Sequence, residues 1–437
     1  MAPMTTDHSL ARRWWVRPLG GRRDDRKVPG TIEPATTVPV PGFRPFNGVR
    51  YDSSIDLAEV TAPPYDVIDD DLRSRLASRH SHNVVRVDLP IDADGLDRYQ
   101  VARRLLEEWE RDGTLRTDEV AGFYIYRMDY TDQAGRGLHT HGVIGALELS
   151  PPGQSDILPH ERTTPKARSD RLEMLRSCRM NLSPIWALSL THGLSSLLTG
   201  CDDVLAEWRD EEGVGHTLTR ATEPEQLEAI ASAVEASPVV IADGHHRYET
   251  SLAYRDERRA QSPTAAGGYD RTMAFVVELV EDQLDVRPIH RLISGLPDRF
   301  DLAKALGRSF EVVPVGPVDG TIERRMLGAA ALALVDPAGE VHLLRPRPES
   351  FAGVADLDSS RLDHALSGLP SHRLSFQHGV DNVLRSLATS DAQYGVLLRP
   401  ATVAQIEANA QTGVRMPPKT TFFFPKPKTG LVFRRLG

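Results

Sequence analysis

The pattern of apolar and polar positions divides most of the chain into short strands and helices. Runs rich in β-branched and aromatic residues predict strands, and apolar positions at helical spacing predict helices. The strands are expected at residues 84–89, 123–130, 143–149, 239–242 and 272–280, and the helices at 99–112, 165–177, 225–236 and 247–260. Several neighbouring strands have no helix between them. We therefore expect an α+β fold, with helices flanking a mixed sheet.

The same pattern predicts three parts of the chain. Residues 1–41 are rich in Arg, Pro, Gly and Thr without any helical or strand period, which predicts a disordered tail. Residues 42–290 form the predicted main lobe. Further strand-like runs (310–315, 331–335, 341–344) and helical runs (360–366, 378–387) predict a second lobe over residues 291–437.

Composition narrows the class of protein. The 437 residues carry a formal net charge of −9, which argues against a general nucleic-acid binder. The longest nearly apolar run, residues 326–335, is about half of the ~20 residues that a membrane-spanning helix needs. Two cysteines are too few for a disulfide framework, and we assign both to ordinary packing. We expect a cytoplasmic protein that does not bind membranes.

The basic residues are unevenly divided between their two types. Of 52 Lys and Arg residues only six are lysines, and three of these, Lys419, Lys426 and Lys428, fall in one short segment. A genome-wide preference for arginine codons explains the average but not these positions. Arginine and lysine are not interchangeable at a binding site, so the segment is a candidate ligand contact.

The densest candidate site is PVVIADGHHRYET, residues 238–250. The pattern predicts a buried strand, a tight turn at Asp243 and Gly244, and then a helix. His245, His246 and Arg247 stand in the first turn of that helix. This arrangement predicts an anion site, because N–H groups at a helix start attract negative charge. Asp243 is the candidate base or metal ligand. The alternative is that Asp243 only caps the helix, although a cap does not explain three basic residues in the first turn.

A second candidate is HERTTPKARSDR, residues 160–171. Thr-Pro is a good helix start, and Lys166 then lies where positive charge is disfavoured unless an anion is bound. His160 and Glu161 precede the helix, and Glu161 is a candidate base. His160, Lys166 and Arg171 are candidate phosphate ligands, and the alternative is a solvated helix face.

Three shorter motifs complete the set. In APPYDV two prolines fix a turn that presents Tyr65 and Asp66, either as ligands or as scaffold. In MPPKTTFFFPKPKTG the candidate anion ligands are Lys419, Thr420, Lys426 and Lys428, while residues 422–424 are expected in the core. PIHR adds His290 and Arg291, for which core or ion-pair roles are equally open.

These motifs together resemble an uncharacterised bacterial family, the domain of unknown function 1015 family. The matching segments are FRPFNGVRY, APPYDVI, PHERTTPKARSDR, NLSPIW, ADGHHRYET, RPIHRLI and MPPKTTFFFPKPKTGLV, in that order over about residues 42–433. The resemblance implies no settled activity.

The motif DGHHRY is also similar to the nucleotide-phosphate motif of the ParB/sulfiredoxin superfamily, which includes free-serine kinases. This second resemblance implies a ParB/sulfiredoxin-like core elaborated by a second lobe. It implies that Asp243 is the metal or base residue, that His246 and Arg247 contact phosphate, and that a glutamate, for which Glu161 is the candidate, activates the acceptor hydroxyl.

The sequence thus leads us to expect a phosphotransferase that uses Mg²⁺ and ATP or ADP on a small, serine-like metabolite. Phosphoryl transfer needs chiefly positioning and charge neutralisation, which suits His, Arg, Lys and carboxylate side chains. Two alternatives stay open: a phosphohydrolase using the same site, and a non-catalytic nucleotide-binding switch of ParB type. The substrate, the nucleotide base and the oligomeric state are not indicated.

Overall fold

The computed structural model describes residues 42–132, 135–151, 157–159, 165–200, 203–262, 266–389, 391–411, 416–417 and 419–437, without the side chains of residues 158, 159, 165–168, 410 and 411. The predicted tail, residues 1–41, lies outside these ranges. The described residues belong to one compact unit.

The strands of the described residues are β1 (Phe43–Arg44), β2 (Val49–Tyr51), β3 (Leu115–Thr117), β4 (Phe123–Thr131), β5 (Gly137–Glu148), β6 (Ile157–Pro159), β7 (Met180–Asn181), β8 (Ile185–Ser189), β9 (Asp203–Arg209), β10 (Gly215–Ala221), β11 (Val239–Asp243), β12 (Arg271–Glu278), β13 (Asp285–Ser294), β14 (Phe310–Pro317), β15 (Leu332–Val335), β16 (Glu340–Pro346), β17 (Arg373–His378), β18 (Tyr394–Leu397), β19 (Thr421–Phe424) and β20 (Arg434–Arg435).

The helices are α1 (Leu57–Val60), α2 (Asp70–Arg79), α3 (Val85–Asp88), α4 (Arg98–Arg111), α5 (Pro165–Cys178), α6 (Leu194–Leu197), α7 (Pro224–Glu235), α8 (His245–Gln261), α9 (Leu302–Leu306), α10 (Ile322–Ala329), α11 (Asp358–Leu366), α12 (Val380–Ala388) and α13 (Val403–Gln411). None of the described helices is both long enough and apolar enough to cross a membrane.

Two large sheets organise these elements. The first has the order β6-β11-β8-β12-β5-β4-β10-β9, with β1 also paired to β5. Within it β11–β6 and β12–β8 are parallel pairs, and the other pairs are antiparallel. The second sheet, β14-β16-β15-β18-β13-β17 with β19 on β13, is antiparallel throughout. The expected α+β class with a mixed sheet is confirmed.

Both faces of the central strands of the first sheet are buried. Ile230 and Val234 of α7 and Tyr248 of α8 pack on one face. On the other face the indole of Trp186 lies 5.4 Å, centroid to centroid, from the ring of Phe423 in β19. A strand from the end of the chain therefore helps to close the core of the first sheet.

Strand β13 crosses the predicted lobe boundary at 290/291. Its first half pairs with β19 and its second half with β17 and β18. The C-terminal segment, which we define as residues 416–437, begins on this second sheet. It then returns to the first part of the chain, where Thr429 and Ala62 form a β-bridge and Phe433 pairs with Val49. The division into lobes stays a prediction.

One predicted strand is wrong. Residues 85–88 form the short helix α3, although Val84, Val85 and Val87 suggested a strand over residues 84–89. The Asn83 side chain accepts from Val85 N and donates to Glu59 O, which winds the chain at this point. All three valines are fully buried, so packing on both sides has replaced the alternation expected of a strand.

The other predicted elements are confirmed, with ends that shift by up to six residues. Helix α4 shows why. The Asp97 side chain accepts from Gln100 N and begins the helix, and Val101, Leu106 and Trp109 form its buried stripe.

Candidate functional site

The turn between β11 and α8 forms the centre of the candidate site. Asp243 ends the strand, Gly244 has φ +88°, and α8 begins at His245. Gly244 is required twice, since a Cβ there would also lie 3.0 Å from the Arg247 guanidinium. Helix α8 thus begins directly after Asp243, and the anion site that the sequence predicts at this helix start stays a prediction.

Asp243 does not cap the helix, so that alternative is wrong. The N-cap is Gly244, without a side-chain hydrogen bond. Instead, Lys426 Nζ donates to Asp243 Oδ1 at 2.6 Å and Arg247 Nη2 donates to Oδ2 at 2.7 Å. Burial acts to raise the pKa of Asp243, but Lys426 and Arg247 outweigh it and hold that pKa well below the usual range.

Arg247 is fixed by further contacts. Its Nη1 donates to the Pro184 carbonyl oxygen and, at 3.1 Å, to Ser183 Oγ. These partners belong to the NLSPIW motif just before β8. The Arg247 guanidinium thus orients the Asp243 carboxylate and ties α8 to the first sheet.

Lys426 joins the two carboxylates of the site. Its Nζ is 2.6 Å from Asp243 Oδ1 and 3.2 Å from Asp66 Oδ2, and its side chain is only 12% exposed. Burial tends to lower the pKa of Lys426, yet Asp243 and Asp66 raise it above its ordinary value. The bridge between Thr429 and Ala62 brings Lys426 and the APPYDV turn together. Lys426 is therefore a charged ammonium at neutral pH.

The APPYDV turn contributes Tyr65 as well as Asp66. The guanidinium of Arg171 lies 4.4 Å from the centre of the Tyr65 ring. Arg171 also donates to Asp88 Oδ1 at 3.0 Å and to Asp170 Oδ2 at 2.7 Å, and it is nearly fully buried. Burial raises the pKa of the Tyr65 hydroxyl. The predicted ligand Arg171 thus has protein partners on several sides, and its phosphate role stays a prediction.

A cavity of about 40 Å³ lies behind these side chains. It is lined by Tyr65, Asp88, Arg171, Asn181 and Arg247, among others. This volume holds a few water molecules and is far too small for a nucleotide. A ligand of that size would have to lie on the outer side of Lys426.

The second sheet reaches the site through Lys419 and Thr420. Arg291 Nη1 donates to Lys419 O at 2.8 Å and to Ile289 O at 2.8 Å, so this buried arginine holds the backbone of the C-terminal segment. Thr420 Oγ1 lies 2.9 Å from Ser359 Oγ and donates to Pro417 O. Both side chains are buried, and each is placed to support Lys419.

His290 lies deeper in the second sheet. Leu398 N donates to its Nδ1 at 3.2 Å, and the residue is 1% exposed. Burial, aided by the charges of His378 and Arg291, lowers the pKa of His290 to about 4. The predicted contact between His290 and phosphate stays a prediction.

Two basic side chains, His246 and Lys419, lie within electrostatic reach of each other near the start of α8. His246 lies in the first turn of α8. Burial lowers the pKa of His246. The charge of Glu249 acts to raise this pKa, and the charge of Lys419 lowers it further, so Lys419 lies near His246. Lys419 is exposed and has φ +58°. His245, the residue before His246, is buried.

Several predicted residues lie outside the described residues. They are His160 and Glu161, together with the side chain of Lys166. Helix α5 begins at Pro165 as predicted. Lys428 lies elsewhere, because its Nζ is 2.6 Å from Asp210 Oδ2.

Sequence reasoning missed Asp88, Phe422 and His378. Asp88 lies in the helix mistaken for a strand, and Phe422 was expected in the core. His378 is a single histidine at the end of β17, with no neighbouring motif to mark it. Among the described residues no cluster of three or more His, Cys, Asp or Glu could hold a metal ion.

Cys178 supports the packing role expected of the cysteines. Its Sγ lies 3.5 Å from Met174 Sδ, and burial raises the pKa of its thiol to about 12. A thiol with such a pKa is inert at neutral pH.

Solved structures with a similar chain path include several proteins. A conserved hypothetical protein from Pyrococcus furiosus is 15% identical over 63% of this chain and 92% of its own, with a TM-score of 0.33. A free serine kinase in complex with AMP is 15% identical over 63% and 88%, with a TM-score of 0.33. SbnI with a C-terminal truncation, from Staphylococcus aureus, is 13% identical over 66% and 87%, with a TM-score of 0.37.

Among curated protein sequences, none matches the chain at a significant level. One family model does match, over residues 43–365, and its description is "Protein of unknown function (DUF1015)". This range contains the APPYDV, HERTTPKARSDR and ADGHHRYET motifs and covers well over half of the sequence. The chain belongs to the DUF1015 family.

Proposed function

We propose that the chain transfers a phosphoryl group from ATP or ADP, with Mg²⁺, to the hydroxyl group of a small, serine-like metabolite. One observation carries this proposal. At the start of α8 the carboxylates of Asp243 and Asp66 share the ammonium of Lys426, although the three residues come from distant parts of the chain. The motif similarity of DGHHRY to nucleotide-phosphate motifs supports the same function.

The surroundings of this trio suit a bound phosphate chain. The first N–H groups of α8, together with His246 and Lys419, supply donors and positive charge on one side. Phosphoryl transfer gains most from such fixed charges, which stabilise the equatorial oxygens of the transferring group. Arg247, occupied by Asp243 and Pro184, would orient the carboxylate and not the phosphate.

The residues fit a Mg²⁺ ion that arrives with the nucleotide. Mg²⁺ is commonly held by one or two carboxylates plus substrate phosphates, and Asp243 and Asp66 are two carboxylates within reach of one ammonium. A carboxylate has about four acceptor positions, so Asp243 keeps capacity beyond Lys426 and Arg247. When bound, the ion would neutralise charge on the phosphates. Lys426 would add a further positive charge for the phosphate oxygens.

A base for the acceptor hydroxyl is the remaining requirement. Glu161 is the candidate that the sequence offers, and it lies outside the described residues. Asp243 is held as a carboxylate by Lys426 and Arg247, so it suits charge neutralisation better than proton transfer at neutral pH.

The test uses the full chain. Purified protein is incubated with ATP or ADP, Mg²⁺ and a pool of hydroxy-metabolites including serine, and phosphorylated products are measured by mass spectrometry. We expect one phosphorylated metabolite, lost in Asp243→Asn and kept in Asp381→Asn, a control on the exposed side of α12.

Other results would change the assignment. Release of inorganic phosphate with water as the acceptor would make the chain a phosphohydrolase. Nucleotide binding that Asp243→Asn weakens, without any turnover, would make it a binding switch. If the chain neither bound a nucleotide nor turned one over, the proposal would be refuted.

A further inference from the structure

His378 from the second sheet faces the candidate site across the C-terminal segment. It is the last residue of β17, and its ring centroid lies 4.3 Å from that of Phe422 in β19. The centroid of the Phe422 ring in turn lies 5.5 Å from Lys426 Nζ. The order His378, Phe422, Lys426, Asp243 thus runs without a break from the second sheet to the first.

Pairing within the second sheet fixes this placement. Strand β13 pairs with β17 at Ile289 and His378, and with β19 at Arg287 and Phe422. His378 and Phe422 are therefore held by neighbouring stretches of one strand, opposite Ile289 and Arg287. Their relative position depends on backbone hydrogen bonds and does not require a flexible loop.

The imidazole of His378 is available to a ligand. The residue is exposed, and its ring nitrogens have no hydrogen-bond partner among the described residues. The polar contacts of His378 use its backbone instead. Its N–H donates to Gln377 Oε1, and its carbonyl oxygen accepts from Asn382 Nδ2. An exposed histidine without ring partners usually does nothing, but this one lies beside a shared ammonium and two carboxylates.

The charges nearby keep this imidazole neutral. Partial burial, Lys426 and Lys419 lower the pKa of His378, and Asp66 opposes them. At neutral pH the ring can therefore accept a proton. His246, the other histidine near Lys419, lies in the first turn of α8 among the N–H groups that we assign to the phosphates. Both histidines lie within electrostatic reach of Lys419, His246 from α8 and His378 from β17.

We propose that His378 accepts the proton of the acceptor hydroxyl in the phosphotransfer reaction. This inference rests on the proposed function. The acceptor oxygen forms a bond to the terminal phosphorus, the bond from that phosphorus to the bridging oxygen breaks, and the nucleotide leaves with one phosphate fewer. The hydroxyl proton passes to a ring nitrogen of His378. The second sheet would thus supply the base, and the first sheet the phosphate site.

The test compares His378→Ala with His372→Ala, a control that lies just before the other end of β17. For each variant, ADP affinity is measured by calorimetry and turnover is measured on the metabolite that the wild-type chain phosphorylates. We expect His378→Ala to keep the affinity for ADP and to lose kcat by about 100-fold or more, the usual range for a lost base. Added imidazole should restore turnover in proportion to its concentration, because the position is exposed.

The outcomes separate the two proposals. Wild-type turnover with an unaffected His378→Ala, or a loss that imidazole does not restore, overturns the role of His378 and leaves the proposed function intact. A wild-type chain that neither binds ADP nor phosphorylates any metabolite overturns both. Loss of kcat in His372→Ala as well would show that β17 is merely structural and would also overturn the role.

Discussion

Lys426 Nζ lies 2.6 Å from Asp243 Oδ1, although 183 positions separate the two residues in the chain. The contact joins the end of β11 to the segment that follows β19, and Asp66 adds a third element to it. An ion pair between segments so distant forms only when the whole fold is complete. Changes to Lys426 should therefore report on both the fold and the site.

Lys426→Met should destabilise the protein and abolish nucleotide binding. The variant leaves two partly buried carboxylates without their shared cation, and removal of one partner from a buried pair costs about 3–5 kcal/mol. With the carboxylates partly accessible, we expect about 2 kcal/mol. Urea unfolding measures the stability and calorimetry the affinity for ADP.

The matched control is Lys426→Met combined with Asp243→Asn. Removal of the negative charge together with the positive one should recover most of the lost stability but none of the binding. If the double variant were as unstable as Lys426→Met, the loss would come from packing of the lysine stem on Phe422.

The lysines that survive in an arginine-rich chain should matter by their position. Lys419→Arg and Lys166→Arg should weaken nucleotide binding or turnover, because a guanidinium is larger and places its donors differently. Lys304→Arg, in helix α9 beside strand β14 of the second sheet, should have no effect. Titration with ADP measures the affinity of the three variants. Equal, negligible effects would show that the positions of the lysines reflect composition alone.

Gly244→Ala should weaken the site more than the fold. The residue has φ +88°, where a Cβ costs about 1–2 kcal/mol, and its Cβ would press on the Arg247 guanidinium at 3.0 Å. Arg247 then has to shift, which misplaces the Asp243 carboxylate. Thermal unfolding and turnover measure the two effects. Gly316→Ala, at φ +81° without a neighbour within 4 Å, is the control for strain alone.

Stability should depend on pH through His290. The pKa of this buried imidazole is about 4, against an unfolded value of about 6.5, so between these values only the unfolded chain takes up the proton. The stabilising contribution is therefore full above about pH 6.5 and falls by about 3 kcal/mol as the pH drops toward 4.

His290→Asn should flatten this dependence, since Asn can accept from Leu398 N as Nδ1 does and does not titrate. Urea unfolding between pH 7 and pH 4 checks it. His192→Asn, with a side chain that is 87% exposed, should leave the slope unchanged. A slope that His290→Asn does not alter would assign the acid sensitivity to other groups.

Local patterns predicted most elements because local chemistry decides them. The turn at Asp243 and Gly244 is an example, since a buried strand, a glycine and a helix start follow each other directly in the sequence. The segment 84–89 failed because its valines are buried on both sides and because Asn83 winds the chain, and neither fact has a periodic signature.

The site was predictable as a set of motifs but not as an arrangement. The pairing of Thr429 with Ala62, which brings Lys426 to Asp66, depends on strand register at long range. Nothing in the sequence shows that the Arg291 guanidinium binds the Lys419 backbone, where a ligand contact was expected. His378 carries no motif at all, and only the pairing of β17 with β13 places it.

The return of the C-terminal segment to the first sheet has a consequence for protein synthesis. At about 5–20 residues per second, a ribosome makes Lys426 roughly 10 to 40 s after Asp243. During that interval Asp243 and Asp66 lack their shared cation, and Trp186 lacks Phe423. A chain terminated early would therefore carry the DGHHRY motif but neither a finished core nor a working charge arrangement. Synthesis of the segment that contains Lys426 is thus the step that completes the charge arrangement of the site.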